Sequence, residues 1–345
     1  MEDPRSSGPL IAAILAAPDD DAPRLVYADW LMERGDPRGE LIALQCRPAL
    51  FEGDVFERAW RLEHAHGAAW QQPIRALARE PGPLHFTRGF IERIQLDAAD
   101  WIRHSEALCA LTPLREIELR KVEVLAAALA APGMQRIRSL EVRGQKLDGA
   151  RLGDLARVPP LPQLESLALL ECGLAGSAVH ALAELRAAPR ALYLDRNPAA
   201  GGALSELLQS PFAARLERLS TEYVSLRPHD VTAIARLAAL RVLSVDHSEL
   251  AGPAVAQIAR AVPLAELSAA ATRDVDDTTL EALGHHGSLH VLRMPRSALR
   301  ITPPAMRALL AALPELRTLD LRDCGLRAAE YPMLKRRFPG ACGSF

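Results

Sequence analysis

Aromatic residues are scarce in this chain. Phe, Trp and Tyr make up 4% of its 345 residues, although hydrophobic residues make up 49%. An ordinary globular core draws more of its bulk from rings, so most of this core must be filled by Leu, Ala and Val. The scarcity is uneven, since all four tryptophans (Trp30, Trp60, Trp70 and Trp101) fall in the first third. Cysteine is also sparse. Cys46, Cys109, Cys172, Cys324 and Cys342 are odd in number, scattered and without a C-x-x-C pair, which excludes a disulfide framework and a cysteine-based zinc site. No apolar run approaches the ~20 residues that span a bilayer. The stretch from Leu10 to Ala17 is broken by Pro18 and three aspartates before it can form a signal core. An excess of one charge is missing too: 41 Lys and Arg against 43 Asp and Glu leave a net charge of −2. That balance argues against bulk binding to nucleic acid or to an anionic membrane. The expectation is a cytoplasmic protein, monomeric on its own, with neither nucleic acid nor membrane as its partner.

What the chain does have is a period. The pattern apolar-x-x-apolar-x-apolar recurs ten times, beginning at Ile91, Leu114, Ile137, Leu164, Pro189, Leu216, Leu240, Leu264, Leu289 and Leu316. Successive starts lie 23 to 27 residues apart, with a mean of 25, which is the leucine-rich repeat signature. Its ninth position should hold Asn or Cys. Cys172, Asn197 and Cys324 sit there, and Val, Ser, Thr, Gln or Ala stand in the other repeats. Each apolar-x-apolar core reads as a short strand with alternate side chains pointing inward. One repeat cannot bury its own apolar face, so stacking makes a shared core beneath a parallel sheet. Residues 177–185, 255–262 and 302–313 have helical spacing. Ser177 and Thr302 read as N-caps, with Pro303 at the first helical position. The fold expected over residues 91–339 is an α/β leucine-rich repeat solenoid (horseshoe). Its concave sheet is parallel and its convex side mostly helical, as in ribonuclease-inhibitor-like arrays, and a tail follows over 340–345.

Upstream, Asp21 to Gly35 carries an acidic start, an early Pro23 and a terminal Gly35, the marks of a complete helix. Leu25, Ala28, Leu31 and Met32 fall on one of its faces. A second helix follows Asp36-Pro37-Arg38 and runs from Glu40 to Cys46, and a third reads over residues 55–67. The string over residues 17–42 resembles the bacterial repeat-companion domain. His66-Gly-Ala-Ala-Trp70 and Arg88-Gly-Phe-Ile-Glu-Arg-Ile-Gln-Leu96 resemble the bridge joining that module to leucine-rich repeats. The resemblance implies architecture and no activity. Residues 1–90 are therefore expected to be an α-helical module covering the first repeat, with Phe51, Phe56, Trp60, Trp70, Phe86 and Phe90 supplying the bulk. Tyr331 to Pro339 is expected to close the far end.

Motifs that carry chemistry are absent: there is no G-x-G-x-x-G, P-loop, H-E-x-x-H or G-x-S-x-G. His64 and His66 are two apart on a helix and face different ways. His285, His286 and His290 read as a solvated turn rather than a metal site. Asp19, Asp20 and Asp21 read as an acidic helix start. Asp29 is expected to pair with Arg24 or cap a turn while Trp30 packs inside. Cys172 and Cys324 read as buried repeat positions, and Lys335-Arg336-Arg337 as a solvated helix face. No catalytic residues, metal or cofactor are expected, and the chain reads as a non-enzyme.

What remains is the outward face of the strands. Its fifth positions run Gln95, Glu118, Glu141, Ala168, Tyr193, Ser220, Ser244, Ser268, Arg293 and Asp320. In the middle repeats the seventh and eighth positions add Leu170, Glu171, Asp195, Arg196, Glu222, Tyr223, Asp246 and His247. Adjacent strands lie ~4.8 Å apart, so these residues form one patch. Tyr and Arg are enriched at binding hot spots. The patch that is expected to bind a protein partner, one with a basic surface, consists of Leu170, Glu171, Tyr193, Asp195, Arg196, Glu222, Tyr223, Asp246 and His247. The alternative is a regulatory subunit or inhibitor occluding an enzyme such as a protease, nuclease or toxin of the same operon. A third reading is an enzyme of unrecognised chemistry.

Overall fold

A computed structural model describes residues 7–47, 53–326 and 332–338. Phe51, Tyr331 and the tail 340–345 lie outside the described residues. The ten repeat motifs form strands β1 (Arg93–Asp97), β2 (Glu116–Arg120), β3 (Ser139–Arg143), β4 (Ser166–Leu170), β5 (Ala191–Tyr193), β6 (Arg218–Ser220), β7 (Val242–Ser244), β8 (Glu266–Ser268), β9 (Val291–Arg293) and β10 (Thr318–Asp320). They follow one another in chain order in a single ten-stranded sheet. The pairings are parallel. The architecture is an α/β leucine-rich repeat solenoid with helices α1 (Gly8–Ala16), α2 (Asp21–Met32), α3 (Pro37–Gln45) and α4 (Gly53–Leu77) ahead of it. Backbone contacts divide the chain into two compact units, residues 1–123 with 127–140, and residues 124–126 with 141–345.

In the first unit the N-terminal helices are built around Phe90. Ile14, Tyr27, Ala28, Leu31, Ile42 and Phe90 form one buried cluster. The Phe90 ring is covered by two guanidinium groups, those of Arg24 at 5.2 Å and Arg38 at 4.8 Å from its centroid. Arg24 is fully buried, and it donates to Glu92 Oε1 at 2.8 Å, to the Pro18 carbonyl at 2.7 Å and to the Arg88 carbonyl at 3.2 Å. A buried charge is tolerable only when it is paired and hydrogen-bonded in this way. Between them, Gly89 has φ +77°, and a Cβ there would lie 2.0 Å from Ile42 Cγ1. Glycine is thus required both for the turn and for the close approach. Its N–H donates to Gln45 Oε1 at 2.7 Å, and its carbonyl accepts from Arg38. The segment Arg88-Gly-Phe therefore fastens the helices to the first strand.

Several expectations for this unit are corrected. Leu25 and Met32 are exposed, and α2 instead buries Arg24, Tyr27, Ala28 and Leu31. Arg24 pairs with Glu92 rather than Asp29, which is exposed. Trp30 is half-buried, stacked on Tyr27 with Arg34 over its other face. Phe56 and Trp60 supply no core bulk, since more than half of each is exposed. The helix that carries them, α4, runs well past the expected end at residue 67. Trp101 is the large buried ring, and its Nε1–H donates to the Ala128 carbonyl at 3.0 Å. The three aspartates do more than begin a helix. Asp20 caps α2 by accepting from the Ala22 N–H at 2.9 Å, Asp21 pairs with Arg88 at 3.1 Å, and Asp19 accepts from Arg138 at 3.0 Å.

In the second unit the fourth-position leucines fall opposite one another in register, Leu167 to Leu192, Leu219, Leu243, Leu267, Leu292 and Leu319. Each is almost fully buried, a burial worth roughly 1.5–3 kcal/mol per side chain. The ninth position repeats a polar device. Its side chain donates to the carbonyl at the sixth position of the preceding repeat: Cys172 Sγ to Val142, Asn197 Nδ2 to Leu169, Ser248 Oγ to Thr221, Ser297 Oγ to Ala269 and Cys324 Sγ to Met294. The turn just before is left-handed. Gly144, Glu171, Arg196, Tyr223, His247, Ala271, Arg296 and Asp323, all at the eighth position, have φ between 55° and 64°. This conformation is costly for a residue with a Cβ. It lets the eighth N–H donate to the seventh carbonyl of the next repeat, as from Arg196 to Glu222 at 2.7 Å and Tyr223 to Asp246 at 2.8 Å.

The segments opposite the sheet are helical from β6 onward, including Gly252–Ala261 and Pro303–Ala312. After β3 and β5, however, they mix short α and 3₁₀ turns. Thr302 is an N-cap, with Pro303 as the first helical residue, whereas Ser177 lies inside a helix beginning at Gly176. Arg337 is not part of a merely solvated face, because it donates to the carbonyls of Leu310, Leu313, Pro314 and Leu316.

Asn197 is fully buried, and its Oδ1 also accepts from the N–H groups of Cys172 at 3.0 Å and Leu174 at 3.1 Å. Replacing it with alanine strands several buried backbone groups at about 1–3 kcal/mol each. Asn197→Ala is expected to lower stability by about 3 kcal/mol or more, read as a fall in the chemical-denaturation midpoint.

Candidate functional site

The nine residues of the expected patch divide into two columns and two single side chains. The first column is the left-handed eighth position. Because backbone conformation there is nearly constant from repeat to repeat, successive side chains leave the sheet in parallel and stack. Arg196 Nε donates toward Glu171 Oε1 at 3.2 Å, and the Arg196 guanidinium lies 4.6 Å from the Tyr223 ring centroid. Tyr223 and His247 stack at 4.6 Å with 12° between their planes. Glu171, Arg196, Tyr223 and His247 thus form one continuous pile across four repeats. Tyr223 remains 40% exposed within it, so the pile presents an aromatic surface to solvent.

The second column is the seventh position, and its carboxylates are engaged with the sheet itself. Asp195 Oδ1 accepts from Ser220 Oγ at 2.6 Å and from the Glu222 N–H at 2.8 Å. Glu222 Oε1 accepts from Ser244 Oγ at 2.7 Å. Asp246 accepts from Ser268 Oγ at 3.0 Å and from the Ala270 N–H at 2.7 Å. Each carboxylate therefore clasps the fifth-position serine of the next repeat. Burial raises the pKa of both Asp195 and Glu222 above the ordinary carboxylate value, against the lowering effect of these hydrogen bonds. For Glu222 the neighbouring charges of Asp195 and Asp246 add to the rise.

Leu170 and Tyr193 stand apart. Leu170 is half-buried at the end of β4, and Tyr193 closes β5 between Ala168 and Ser220. The Tyr193 hydroxyl makes no hydrogen bond among the described residues. Residue type alone concealed the role of Ser220, Ser244 and Ser268. The signal was nonetheless present: a fifth-position serine follows a seventh-position acid in three successive repeats.

His285 and His286 meet edge to face at 4.8 Å, and His286 Nε2 lies 3.1 Å from the Arg260 carbonyl. Among the described residues, no group of three or more His, Cys, Asp or Glu side chains is placed to hold a metal ion. Cys172 is buried, and burial pushes its thiol up to about 11. It is therefore protonated and unreactive at neutral pH. No helix among the described residues is long and apolar enough to cross a membrane.

The repeat period, the parallel register, the left-handed eighth position and the ninth-position donors define a leucine-rich repeat protein. No family model matches the chain, and no curated protein matches it. Among solved structures, the chain is similar to an internalin from Listeria monocytogenes, with 14% identity and a TM-score of 0.41 over 74% of this chain and 75% of that one.

Asp195 offers a pH test. Both of its hydrogen bonds fall on one oxygen, which an amide retains. Asp195→Asn is expected to be at least as stable as the parent at pH 7, whereas Asp195→Ala loses about 1–2 kcal/mol. Because the folded-state pKa is raised, the parent gains stability relative to Asp195→Asn as pH falls through that pKa toward the ordinary carboxylate value. Melting temperatures at pH 7 and at acidic pH check the sign.

Proposed function

We propose that this protein is a non-catalytic interaction module. In this reading it binds a protein partner through the outward face of the sheet, with Leu170, Glu171, Tyr193, Asp195, Arg196, Glu222, Tyr223, Asp246 and His247 at the contact. The observation that carries the reading is the ordered pile of Glu171, Arg196, Tyr223 and His247. Side chains already fixed in the free state lose little entropy on binding, and Tyr and Arg are the residue types that dominate interface energetics. The carboxylates of Asp195, Glu222 and Asp246 beside the pile favour a partner with a basic surface, through complementarity that sets orientation and encounter rate more than affinity. Occlusion of an enzyme by the same face is one form such binding would take.

We assign the N-terminal helices, residues 1–90, a capping role of the kind implied by their resemblance to the bacterial repeat-companion domain. The support is the fastening around Phe90, since a first repeat without a cap exposes its apolar end.

Two measurements follow. Tyr193→Ala with Tyr223→Ala is expected to weaken capture of the native partner by more than about tenfold while the melting temperature stays within about a degree. Undiminished binding would move the contact elsewhere. Arg24→Met removes the donor to Glu92 and to two carbonyls. It is expected to destabilise the first unit by about 2–4 kcal/mol, seen as earlier loss of amide protection around Phe90. An unchanged exchange pattern would sink the capping role of that fastening.

A further inference from the structure

The strands that end in carboxylates begin among arginines. In each of three successive repeats a pair of arginines flanks the start of the strand: Arg186 and Arg190 at β5, Arg215 and Arg218 at β6, and Arg236 and Arg241 at β7. All six are exposed. Arg186 donates to the Val158 carbonyl at 2.8 Å, Arg190 pairs with Glu217 at 2.6 Å, and Arg241 donates to the Leu240 carbonyl at 2.7 Å. The guanidinium groups of Arg215, Arg218 and Arg236 meet no carboxylate or carbonyl among the described residues. Two shallow clefts lie at this edge. One, of about 530 Å³, is lined by Pro160, Pro162, Leu185 and Phe212 with Arg186 and Arg215, and by one carboxylate, that of Glu184. The other, of about 680 Å³, is lined by Leu208, Ala213 and Leu237 with Arg236. They share Pro211.

We infer that this edge is a second docking surface, and that it takes an extended acidic segment of a partner protein in which carboxylates alternate with apolar side chains. Guanidinium groups present a planar fork that matches a carboxylate with two parallel hydrogen bonds. Three such forks without a partner among the described residues, those of Arg215 and Arg218 at the start of β6 and of Arg236 ahead of β7, face solvent along this edge. The clefts between them have aliphatic walls of proline, alanine and leucine, suited to short apolar side chains. Nucleic acid fits less well. Single strands are held by bases stacking on exposed aromatic rings, whereas the one ring lining these clefts, Phe212, is buried. The surface is distinct from the pile of Arg196, Tyr223 and His247, because in a parallel sheet all strand starts lie on one edge and all strand ends on the other.

The test uses the full chain and a fluorescently labelled peptide of alternating glutamate and leucine, followed by anisotropy at about 50 mM salt. Saturable binding is expected. Arg215→Glu with Arg236→Glu should weaken it at least about tenfold, leaving the circular dichroism spectrum and melting temperature unchanged. Tyr193→Ala with Tyr223→Ala should leave it unaltered, so this surface and the proposed sheet face are judged separately. Affinity should fall as salt rises to about 300 mM. Absence of binding at low salt, or a charge-reversed variant within about twofold of the parent, overturns the inference. So does tighter binding of labelled oligo(dT) that the same reversal abolishes, which would make the edge a nucleic-acid surface instead.

Discussion

The second unit depends on one recurring contact, the donation from the ninth-position side chain to the sixth-position carbonyl of the repeat before it. A parallel strand of three residues cannot satisfy its own flanking carbonyls, and once the chain turns beneath the sheet those groups are buried away from water. An unpaired carbonyl there costs as much as the burial of a leucine gains. Asn, Cys and Ser supply the donor in different repeats, with Cys172 and Cys324 acting as weak S–H donors rather than reactive thiols. The same turn forces the eighth residue into the left-handed region, and this directs its N–H to the following repeat. Two hydrogen bonds, one backward and one forward, thereby hold the repeats that carry such a donor in register, whereas Val224 has none and Thr272 donates to Ala269 within its own repeat.

The left-handed turn also makes the surface. A strained backbone angle repeated at the eighth positions of the second unit projects the side chains there in parallel, so that Glu171, Arg196, Tyr223 and His247 pile up. Seventh-position carboxylates are drawn into the ladder by the serines of the next strand, and burial raises the pKa values of Asp195 and Glu222. Groups that look alike in composition thus separate into a scaffold column and a presented column. At the strand starts, Arg186, Arg190 and Arg241 are bonded to neighbouring groups while Arg215, Arg218 and Arg236 point to solvent. Charge of opposite sign at the two ends of the same three strands is consistent with a net charge near zero.

The first unit solves a different problem with most of the chain's aromatic residues. Phe90 is held between Arg24 and Arg38 and against Tyr27, Ile14 and Ile42, in a space made by Gly89. Trp101 fills the position after the first strand. The strand layers of the second unit are filled by leucine, and the buried ring of Phe212 lies in a short turn away from the strands.

The ten strands and their register were legible in the sequence, because burial of one face per strand imposes an apolar spacing that no other arrangement satisfies. The start of α2 and the Thr302 cap were legible for a similar reason, since local hydrogen bonding and local residue choice coincide there. The site was only partly so. Tyr223 and His247 could be placed on one face by counting, but not in contact, because stacking depends on a backbone angle that non-glycine residues adopt only under tertiary constraint. Asp195 reads as a free acid until the next repeat brings Ser220 to it. Arg24 reads as a partner for Asp29 on its own helix until Glu92, 68 positions away, lies against it. Periodicity alone therefore determined which residues face inward. The fold decided which outward residues are bound to each other and which stay available, since hydrogen bonds between residues 20 or more positions apart are created only when the repeats stack.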